Sequence, residues 1–510
     1  MFHVNRQLQV LIAIGRTFIF VMLASAAVSS QSASQSPVKG EIIPSVVCAD
    51  NREQSYALYL PSNYTPEKPW PILFALDPGA HGKTPVEHFK DAAEQYGWIV
   101  VGSNQSRNGA REHTTEAVNA MWRDVHQRFS IDDRRVYFAG LSGGARAAVA
   151  VALSCDCAAG VIGAGAGFPI GVAPSAAVHF AYFGLAGIDD FNFPEVKTLE
   201  EALAKAGVNH ELKVFAGRHE WPPADAATEA IEWMELQAMR NGPRARDEKL
   251  IALLWEKRMA EAHKFEAAGQ FYDAYQVYDA AAKAFKSLRD VAAAERQVVS
   301  LAAKAEVKTA QRNEAREIKK QRDLESQIYH LLQTQDGGAS LSDEEAPSRS
   351  TASGMPDPRG NANSDVGDLD NDLKRSAKGE LRTIFSDLHK AASAASDSSE
   401  RRVARRVTSG LYINFIERGI NLLETQKRYA AAARSFELAT EVSPERAGGF
   451  YYLAVAYASN SDRKKSLAAL KTAVEKGLTD IELIKTTPAF ESLRKEPAYQ
   501  ELIKKAAPGQ

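Results

Sequence analysis

"VYFAGLSGGARAA", residues 136–148, joins an apolar run to an alanine-rich run through a glycine-rich bend. Within it, Gly140, Ser142 and Gly144 form a G-x-S-x-G pattern. Between a strand and a helix, such a pattern presents the serine on a strained turn, and its glycines remove side chains that would clash where the two elements approach. The apolar run predicts a strand and the alanine-rich run predicts a helix. The stretch therefore predicts that Ser142 is a nucleophile, and the alternative is a bend that carries no chemistry.

Short apolar runs alternate with helical patterns on both sides of this stretch, from about residue 40 to about residue 242. The runs "WPILFALDPG" and "HFAYFGLAG" are typical of strands buried on both faces. The segment "TEAVNAMWRDVHQRF" has apolar residues at helical spacing. Such alternation is typical of a mainly parallel sheet covered by helices on both faces. We expect an α/β domain over residues 40–242.

Length and charge limit what this domain can belong to. A chain of 510 residues exceeds one hydrophobic core and is expected to form two or three domains. The formal net charge of -2 gives no indication of a polyanionic partner such as nucleic acid. Composition and charge therefore do not indicate a function, which must be inferred from short motifs.

Beyond Gly242 the composition shifts to Ala, Glu, Lys, Arg and Leu, which predicts helices over residues 246–333 and again over 376–507. Small and aromatic residues recur there at the spacing of a 34-residue helix pair, so both segments resemble tetratricopeptide repeats. In the first segment the match is partial and consists of Ala262, Phe265, Ala274, Tyr278 and Ala281. In the second, two units in register comprise Ala432, Phe436, Ala439, Pro444, Phe450, Leu453, Ala454, Tyr457, Leu470 and Ala473. The resemblance implies a surface that binds a protein partner.

Residues 334–375, between the two helical segments, are rich in Ser, Asp, Gly, Asn and Pro. Such a composition buries too little apolar surface to offset its ordering entropy. We expect a disordered linker, which serves most simply as a tether.

The N-terminus has the three parts of a secretory signal over residues 1–32. Arg6 and Arg16 precede the apolar run "TFIFVMLASAAVSS", which ends in small residues and is followed by polar residues. An uncleaved anchor is the alternative, but the run is short for a span that needs about 20 apolar residues. The pattern predicts a secreted or periplasmic protein with no integral membrane segment after cleavage.

The chain has three cysteines, which fit an exported protein but do not define a disulfide scaffold. One bridge from Cys48 to either Cys155 or Cys157 is expected, with one thiol left over. Cys155 and Cys157 form a Cys-x-Cys pair without a nearby histidine or further cysteine, which is a weak metal signal. We expect no metal site.

A serine nucleophile needs a base, which should follow the serine and an acid along the chain. Three histidines follow Ser142 within the α/β domain. His179 opens a strand and His210 precedes one, whereas His219 follows a strand, in "VFAGRHEWPP". Loops at that end of parallel strands carry ligand-binding groups. His219 is therefore the predicted base.

The acid should follow the preceding strand, "HFAYFGLAG". Asp189 and Asp190 both do, in "AGIDDFNFPE", and Glu195 is a distant third. Placement relative to the end of the strand favours Asp190, but sequence alone leaves Asp189 open.

Two backbone N–H groups are expected to stabilise an oxyanion. One belongs to Gly143, at the start of the predicted helix, whose N-terminal field also favours negative charge. The other should come from the loop in "WPILFALDPGAHG", where Gly79 and Ala80 are the natural donors. His81 could assist or line the entrance, but a loop histidine more often does neither.

From Tyr56 to Pro223 the chain resembles the α/β-hydrolase fold, in particular compact secreted esterases of the feruloyl esterase and polyhydroxyalkanoate depolymerase type. The matching motifs are "YALYLPSNY", "IDDRRVYFAGLSGGA", "GIDDFN" and "GRHEWP". The resemblance implies the nucleophile Ser142, the acid Asp190 and the base His219, without a metal or organic cofactor.

Two departures from the family pattern matter. The oxyanion loop has "LDPGAHG" where many relatives have a histidine followed by glycines. No long insertion precedes the histidine, so the resemblance implies an open site without a lid.

The sequence thus predicts an exported serine hydrolase that cleaves a small or oligomeric carboxylic ester through an acyl-enzyme, with helical repeats that bind a protein. The alternative is a scaffold or binding protein whose hydrolase domain is a relic without catalysis. Retention of a serine, an acid and a histidine in matching loops favours the enzyme.

Overall fold

The computed structural model describes residues 38–109, 111–335 and 365–506. The predicted signal peptide and most of the predicted linker lie outside the described residues.

A single sheet of eight strands forms the first half of the described chain, in the order β1-β2-β4-β3-β5-β6-β7-β8. Strand β2 pairs antiparallel with β1 and with β4, and the other pairs are parallel. The mostly parallel sheet confirms the predicted α/β class. The strands are β1 (Ile42–Val47), β2 (Ser55–Tyr59), β3 (Trp70–Leu76), β4 (Ile99–Ser103), β5 (Ile131–Leu141), β6 (Ala158–Ala164), β7 (Ala181–Gly187) and β8 (His210–Phe215).

Helices cover both faces of the sheet because both faces of its central strands are apolar. Successive side chains of a strand point to opposite faces. In β3, Leu73 and Ala75 therefore pack in the core beneath α1 and α5, and Ile72 and Phe74 pack in the core beneath α2, α3 and α4. These helices are α1 (Lys83–Tyr96), α2 (Arg111–Arg128), α3 (Gly143–Ser154), α4 (Phe193–Ala206) and α5 (Ala224–Asn241).

The rest of the described chain is helical, as predicted. Helices α6 to α8 extend the core beneath α1 and α5 through residues such as Ile251, Tyr278 and Leu301. A π-helical turn, Asn421–Thr425, and a 3₁₀ turn, Pro488–Leu493, interrupt the later helices. The helices are α6 (Glu248–Ala267), α7 (Phe271–Phe285), α8 (Ala292–Ala303), α9 (Ala305–Gln335), α10 (Asp365–Ala392), α11 (Ser399–Ile420), α12 (Tyr429–Val442), α13 (Ala447–Ser459), α14 (Arg463–Glu475), α15 (Ile481–Thr486) and α16 (Pro497–Ala506).

Helix α10 begins at Asp365, inside the segment predicted to be a linker. Within the described residues, no helix combines the length and the apolar character needed to cross a membrane.

The disulfide differs from the expected one. Cys155 is bonded to Cys157 across the turn between α3 and β6, and Cys48 is a free, buried thiol. Strands β4, β3 and β5 separate β2, beside which Cys48 is buried, from β6. A bridge from Cys48 to either partner is therefore wrong. Burial raises the pKa of the Cys48 thiol to about 11, which keeps it protonated and unreactive at neutral pH.

Candidate active site

Ser142 lies on a strained turn between β5 and α3. Its φ of 55° and ψ of -122° belong to a region that residues with a side chain rarely adopt. A Cβ added to Gly140 would overlap the carbonyl oxygen of Gly144, and one added to Gly144 would overlap that of Leu76. The G-x-S-x-G pattern is thus required by the close approach of β3, β5 and α3.

The loops after four neighbouring strands converge beside Ser142. The Ser142 N–H donates to the carbonyl oxygen of Ala164, at 2.8 Å, where β6 ends. Gly165 N–H donates to Leu185 of β7, and Ile188 N–H donates to Phe215 of β8, both at 2.8 Å. These hydrogen bonds bring the carboxyl ends of β5, β6, β7 and β8 to one edge of the sheet.

Asp190 and His219 form a hydrogen-bonded pair at this edge, with 2.8 Å between Asp190 Oδ1 and His219 Nδ1. The side chain of Asp190 is 1% exposed and that of His219 is 13% exposed. The Asn192 N–H also donates to Asp190 Oδ1, at 2.8 Å, which fixes the carboxylate. An imidazole held through Nδ1 leaves Nε2 to accept a proton.

Gly165 connects this pair to Ser142, and sequence reasoning missed it. Its φ is +62°, and an added Cβ would lie 2.8 Å from both Asp190 Oδ2 and His219 Nδ1. The preceding residue, Ala164, accepts the Ser142 N–H. Ser142 and the Asp190–His219 pair therefore lie on either side of the dipeptide Ala164–Gly165. In the sequence, the run of small residues in "GAGAGF" is the feature that could have indicated this close approach.

Within the described residues, no hydrogen bond joins Ser142 Oγ to His219 Nε2. Such bonds are often long in ligand-free hydrolases and shorten when substrate binds.

The predicted oxyanion donors differ in their availability. Gly143 is the first residue of α3, where N–H groups have no partner within the helix. In contrast, the Gly79 N–H donates to Asp77 Oδ1 at 2.8 Å, and the Ala80 N–H approaches the Asp77 carbonyl oxygen at 3.3 Å. The buried carboxylate of Asp77 also accepts a hydrogen bond from Trp221 Nε1, at 2.8 Å. To serve as the predicted second oxyanion donor, the N–H of Gly79 or Ala80 would therefore have to leave its partner in this turn.

Asn108 is a further polar residue at the site that the motifs did not indicate. A Cβ added to Gly143 would overlap Asn108 Oδ1. The Asn108 N–H donates to the carbonyl oxygen of Pro78, at 2.9 Å, and its Nδ2 donates to Glu417 Oε1 of α11, also at 2.9 Å. Asn108 thus contacts Gly143 and α11 through its side chain, and the loop after β3 through its backbone N–H.

Helix α11 also holds the acid loop, residues 188–194. Arg405 Nη1 donates to Asp189 Oδ2 at 2.9 Å, and Arg406 Nε donates to the carbonyl oxygen of Ile188 at 2.8 Å. The two aspartates that sequence could not separate thus have different partners, because Asp189 faces α11 and Asp190 faces His219.

Helices α9 and α11 both contact Phe191, whose ring centroid lies 4.1 Å from that of His219. Gln321 Nε2 of α9 donates to the Phe191 carbonyl oxygen at 2.8 Å. A Cβ on Gly410 of α11 would lie 3.1 Å from Phe191 Cβ. From Arg405 to Glu417 an α-helix advances about 18 Å, so α11 runs from the acid loop to Asn108. Helices α9 and α11 thus pack against loops beside the candidate site.

The contact between α11 and the acid loop is buried and charged. The Arg406 side chain is 0% exposed, and its guanidinium lies 4.0 Å from the ring centroid of Phe193. Glu317 of α9 lies 3.8 Å from Arg406 Nη1 and accepts a hydrogen bond from Arg402 Nε, at 3.2 Å. Burial lowers the pKa of Arg406. Removing one partner from such a buried cluster is strongly destabilising, so the helices are fixed against the acid loop.

Comparison with known proteins gives likenesses of fold. No family model matches the chain, and no curated protein matches it. Among solved structures, an S-formylglutathione hydrolase from Staphylococcus aureus is 18% identical, with a TM-score of 0.32, over 39% of this chain and 98% of that one. A ferulic acid esterase is 17% identical, with a TM-score of 0.32, over 38% and 97% of the respective chains. Esterase 2 of Thermogutta terrifontis, phosphonylated by sarin, is 15% identical, with a TM-score of 0.32, over 42% and 98%. At these values the likeness does not assign a function.

Proposed function

We propose that this protein is a serine hydrolase that cleaves carboxylic esters through an acyl-enzyme. The observation that carries the proposal is the 2.8 Å hydrogen bond between Asp190 and His219, which packs on Gly165 beside the strained turn of Ser142. A buried carboxylate that orients an imidazole next to a serine on such a turn is the arrangement that activates a hydroxyl.

In the proposed reaction, Ser142 Oγ attacks the ester carbonyl carbon while His219 Nε2 takes the hydroxyl proton. Asp190 holds the Nδ1–H and stabilises the imidazolium that forms. The Gly143 N–H and a second donor from Gly79 or Ala80 stabilise the oxyanion. His219 then protonates the departing alcohol oxygen. Water, deprotonated by His219, hydrolyses the acyl-enzyme and releases the acid.

The decisive experiment is labelling of the full chain with a fluorophosphonate, followed by peptide mapping. We expect one adduct, on Ser142, and none in Ser142→Ala or in denatured protein. Asp190→Asn should lower kcat for 4-nitrophenyl acetate by roughly 10⁴-fold, because it favours the wrong tautomer of the base. Asp189→Asn is the matched control and should lose far less. A folded protein that is neither labelled nor able to hydrolyse short acyl esters would be a scaffold rather than an enzyme.

We also propose export, on the basis of the charged, apolar and small-residue order at the N-terminus. N-terminal sequencing of protein recovered outside the cytoplasm should begin near residue 33. Full-length protein confined to the cytoplasm would contradict this.

A protein-binding role for α12 to α14 is the last part of the proposal. Ala432, Phe436 and Ala454 are fully buried where these helices cross, as expected of repeat units whose outer faces are free to bind. Cross-linking of the full chain in an extract of the compartment that holds it should join a partner to Lys464 or Lys471 of α14.

A further inference from the structure

The side-chain amide of Asn108 lies beside Gly143, whose N–H is the first predicted oxyanion donor. A Cβ added to Gly143 would overlap Asn108 Oδ1, and it would lie 2.9 Å from Cγ and 3.3 Å from Nδ2. The backbone of Asn108 is held in place, because its N–H donates to the carbonyl oxygen of Pro78 in the turn after β3. An exposed polar side chain thus reaches the start of α3.

Glu417 of α11 sets which end of this amide faces Gly143. Asn108 Nδ2 donates to Glu417 Oε1 at 2.9 Å, and within the described residues this is the one hydrogen bond of the side-chain amide. An ionised carboxylate can only accept hydrogen bonds, so it attracts Nδ2 and leaves Oδ1 nearer to Gly143. In this orientation the nearer end of the amide is an acceptor, which cannot stabilise an oxyanion.

A half-turn of the amide about its Cβ–Cγ bond would exchange the two ends, and this torsion has a broad, roughly twofold profile. Nδ2 would then take the place of Oδ1, which is nearer to the added Cβ than Cγ is, at 2.9 Å. Gly143 N lies about 2.5 Å from that Cβ, so the two nitrogens would be less than about 5.4 Å apart. One oxygen can accept from two nitrogens up to about 5.8 Å apart, at about 2.9 Å from each. The turned amide and the Gly143 N–H can therefore bond the same oxyanion.

The turn after β3 offers its own N–H groups to an oxyanion only at a cost. The N–H groups of Gly79 and His81 donate to Asp77 Oδ1, at 2.8 and 3.2 Å. Trp221 Nε1 donates to the other carboxylate oxygen, at 2.8 Å. Asp77 is 5% exposed, and a buried acceptor that loses a donor is destabilised. Asn108 is exposed, so turning its amide leaves no buried group without a partner.

We propose that Asn108 is a further catalytic residue, which donates to the oxyanion beside Gly143, and that Glu417 is a positioning residue that holds its amide in the opposite orientation. This rests on the proposed function. The oxyanion forms only in the transition state, where it competes with the Glu417 carboxylate for Asn108 Nδ2. Helix α11 therefore lowers the rate of hydrolysis through this contact, and loss of the contact raises the rate.

The test is Glu417→Gln in the full chain. Glutamine keeps the shape of the side chain but can donate as well as accept, so it can bond Asn108 Oδ1 and permit the turned amide. We expect kcat for 4-nitrophenyl acetate to rise by about three- to tenfold, as one net hydrogen bond predicts. KM should stay unchanged, because the interaction is made only in the transition state. Rates are expressed per serine labelled by a fluorophosphonate, so that misfolded protein does not count.

Asn108 variants separate the amide from the charge of Glu417, because removing a nearby carboxylate also favours an oxyanion by itself. Asn108→Ala should lower kcat by about three- to tenfold, and Glu417→Gln should then give no gain. Asn108→Asp keeps the shape but has no donor, so it should lose at least as much. Glu424→Gln removes an exposed carboxylate seven residues after Glu417 and is the matched charge control, which should leave kcat unchanged.

The outcomes distinguish this inference from the proposed function. An unchanged or lower kcat in Glu417→Gln, or a gain that persists in the Asn108→Ala protein, would overturn the inference and leave the esterase intact. A folded protein that hydrolyses no ester and is not labelled at Ser142 would refute the proposed function, and the role of Asn108 with it.

Discussion

Replacing Ser142 with glycine should stabilise the protein while abolishing its activity. The backbone of Ser142, with φ of 55° and ψ of -122°, costs roughly 1–3 kcal/mol in a residue that has a Cβ. Glycine adopts this conformation without strain, but it loses about 0.5–1 kcal/mol more in conformational entropy on folding. The net change in the free energy of unfolding is therefore a gain of about 1 kcal/mol.

The comparison that isolates backbone strain is Ser142→Gly with Ser142→Ala. Both variants lack the hydroxyl group, but only alanine keeps the Cβ. Urea unfolding followed by circular dichroism should give the glycine variant the higher midpoint. As a control, Ser154 is exposed and ends α3 with helical backbone, so Ser154→Gly should be less stable than Ser154→Ala. A Ser142→Gly protein no more stable than Ser142→Ala would refute the reasoning.

Three further predictions concern the surroundings of the site. Gly143→Ala should slow fluorophosphonate labelling at least tenfold because the new methyl group overlaps Asn108 Oδ1, and adding Asn108→Gly should restore part of the rate. Arg405→Met should lower kcat and speed hydrogen exchange of residues 188–194, since it leaves Asp189 unpaired. Arg405→Lys should restore both kcat and the exchange rate. Unchanged hydrogen exchange in Arg405→Met would show that Arg405 does not hold this loop. Burial raises the pKa of Glu211 to about 7, so the folded chain binds this proton more tightly than the unfolded chain, whose glutamates titrate near 4.3. Stability contributed by Glu211 therefore falls as pH rises from about 4.3 to 7, and urea midpoints at pH 5 and 7.5 should differ less in Glu211→Gln.

The sheet could be predicted because its determinants are local. Period-two and fully apolar runs mark strands whatever their partners, and the glycines around Ser142 mark a turn that only a strand–helix junction needs. The order of serine, aspartate and histidine then selects loops at one edge of a parallel sheet, where Asp190 and His219 indeed meet.

The rest depends on contacts between distant parts of the chain. The sequence around Asp189 does not indicate that Arg405, 216 residues later, donates a hydrogen bond to its carboxylate. The same holds for Gln321 and Phe191, which are 130 residues apart. The predicted disulfide was wrong for a related reason. The sequence does not indicate that three strands separate the neighbourhood of Cys48 from Cys155. The composition predicted that the C-terminal half is helical, but not the surface on which these helices pack.

The acid loop and α11, which holds it, are far apart in sequence, so they are synthesised at different times. Arg406 bonds to Ile188 across 218 residues. The last strand ends at Phe215, 191 residues before Arg406. At about 5–20 residues per second of synthesis, the sheet can be complete roughly 10–40 s before the residues that hold its acid loop exist. A ribosome-bound or prematurely terminated product that ends before α11 therefore has Ser142 and His219 but a loose acid loop. Under the proposed function, hydrolysis by the unfinished chain would be restrained until α11 has been made.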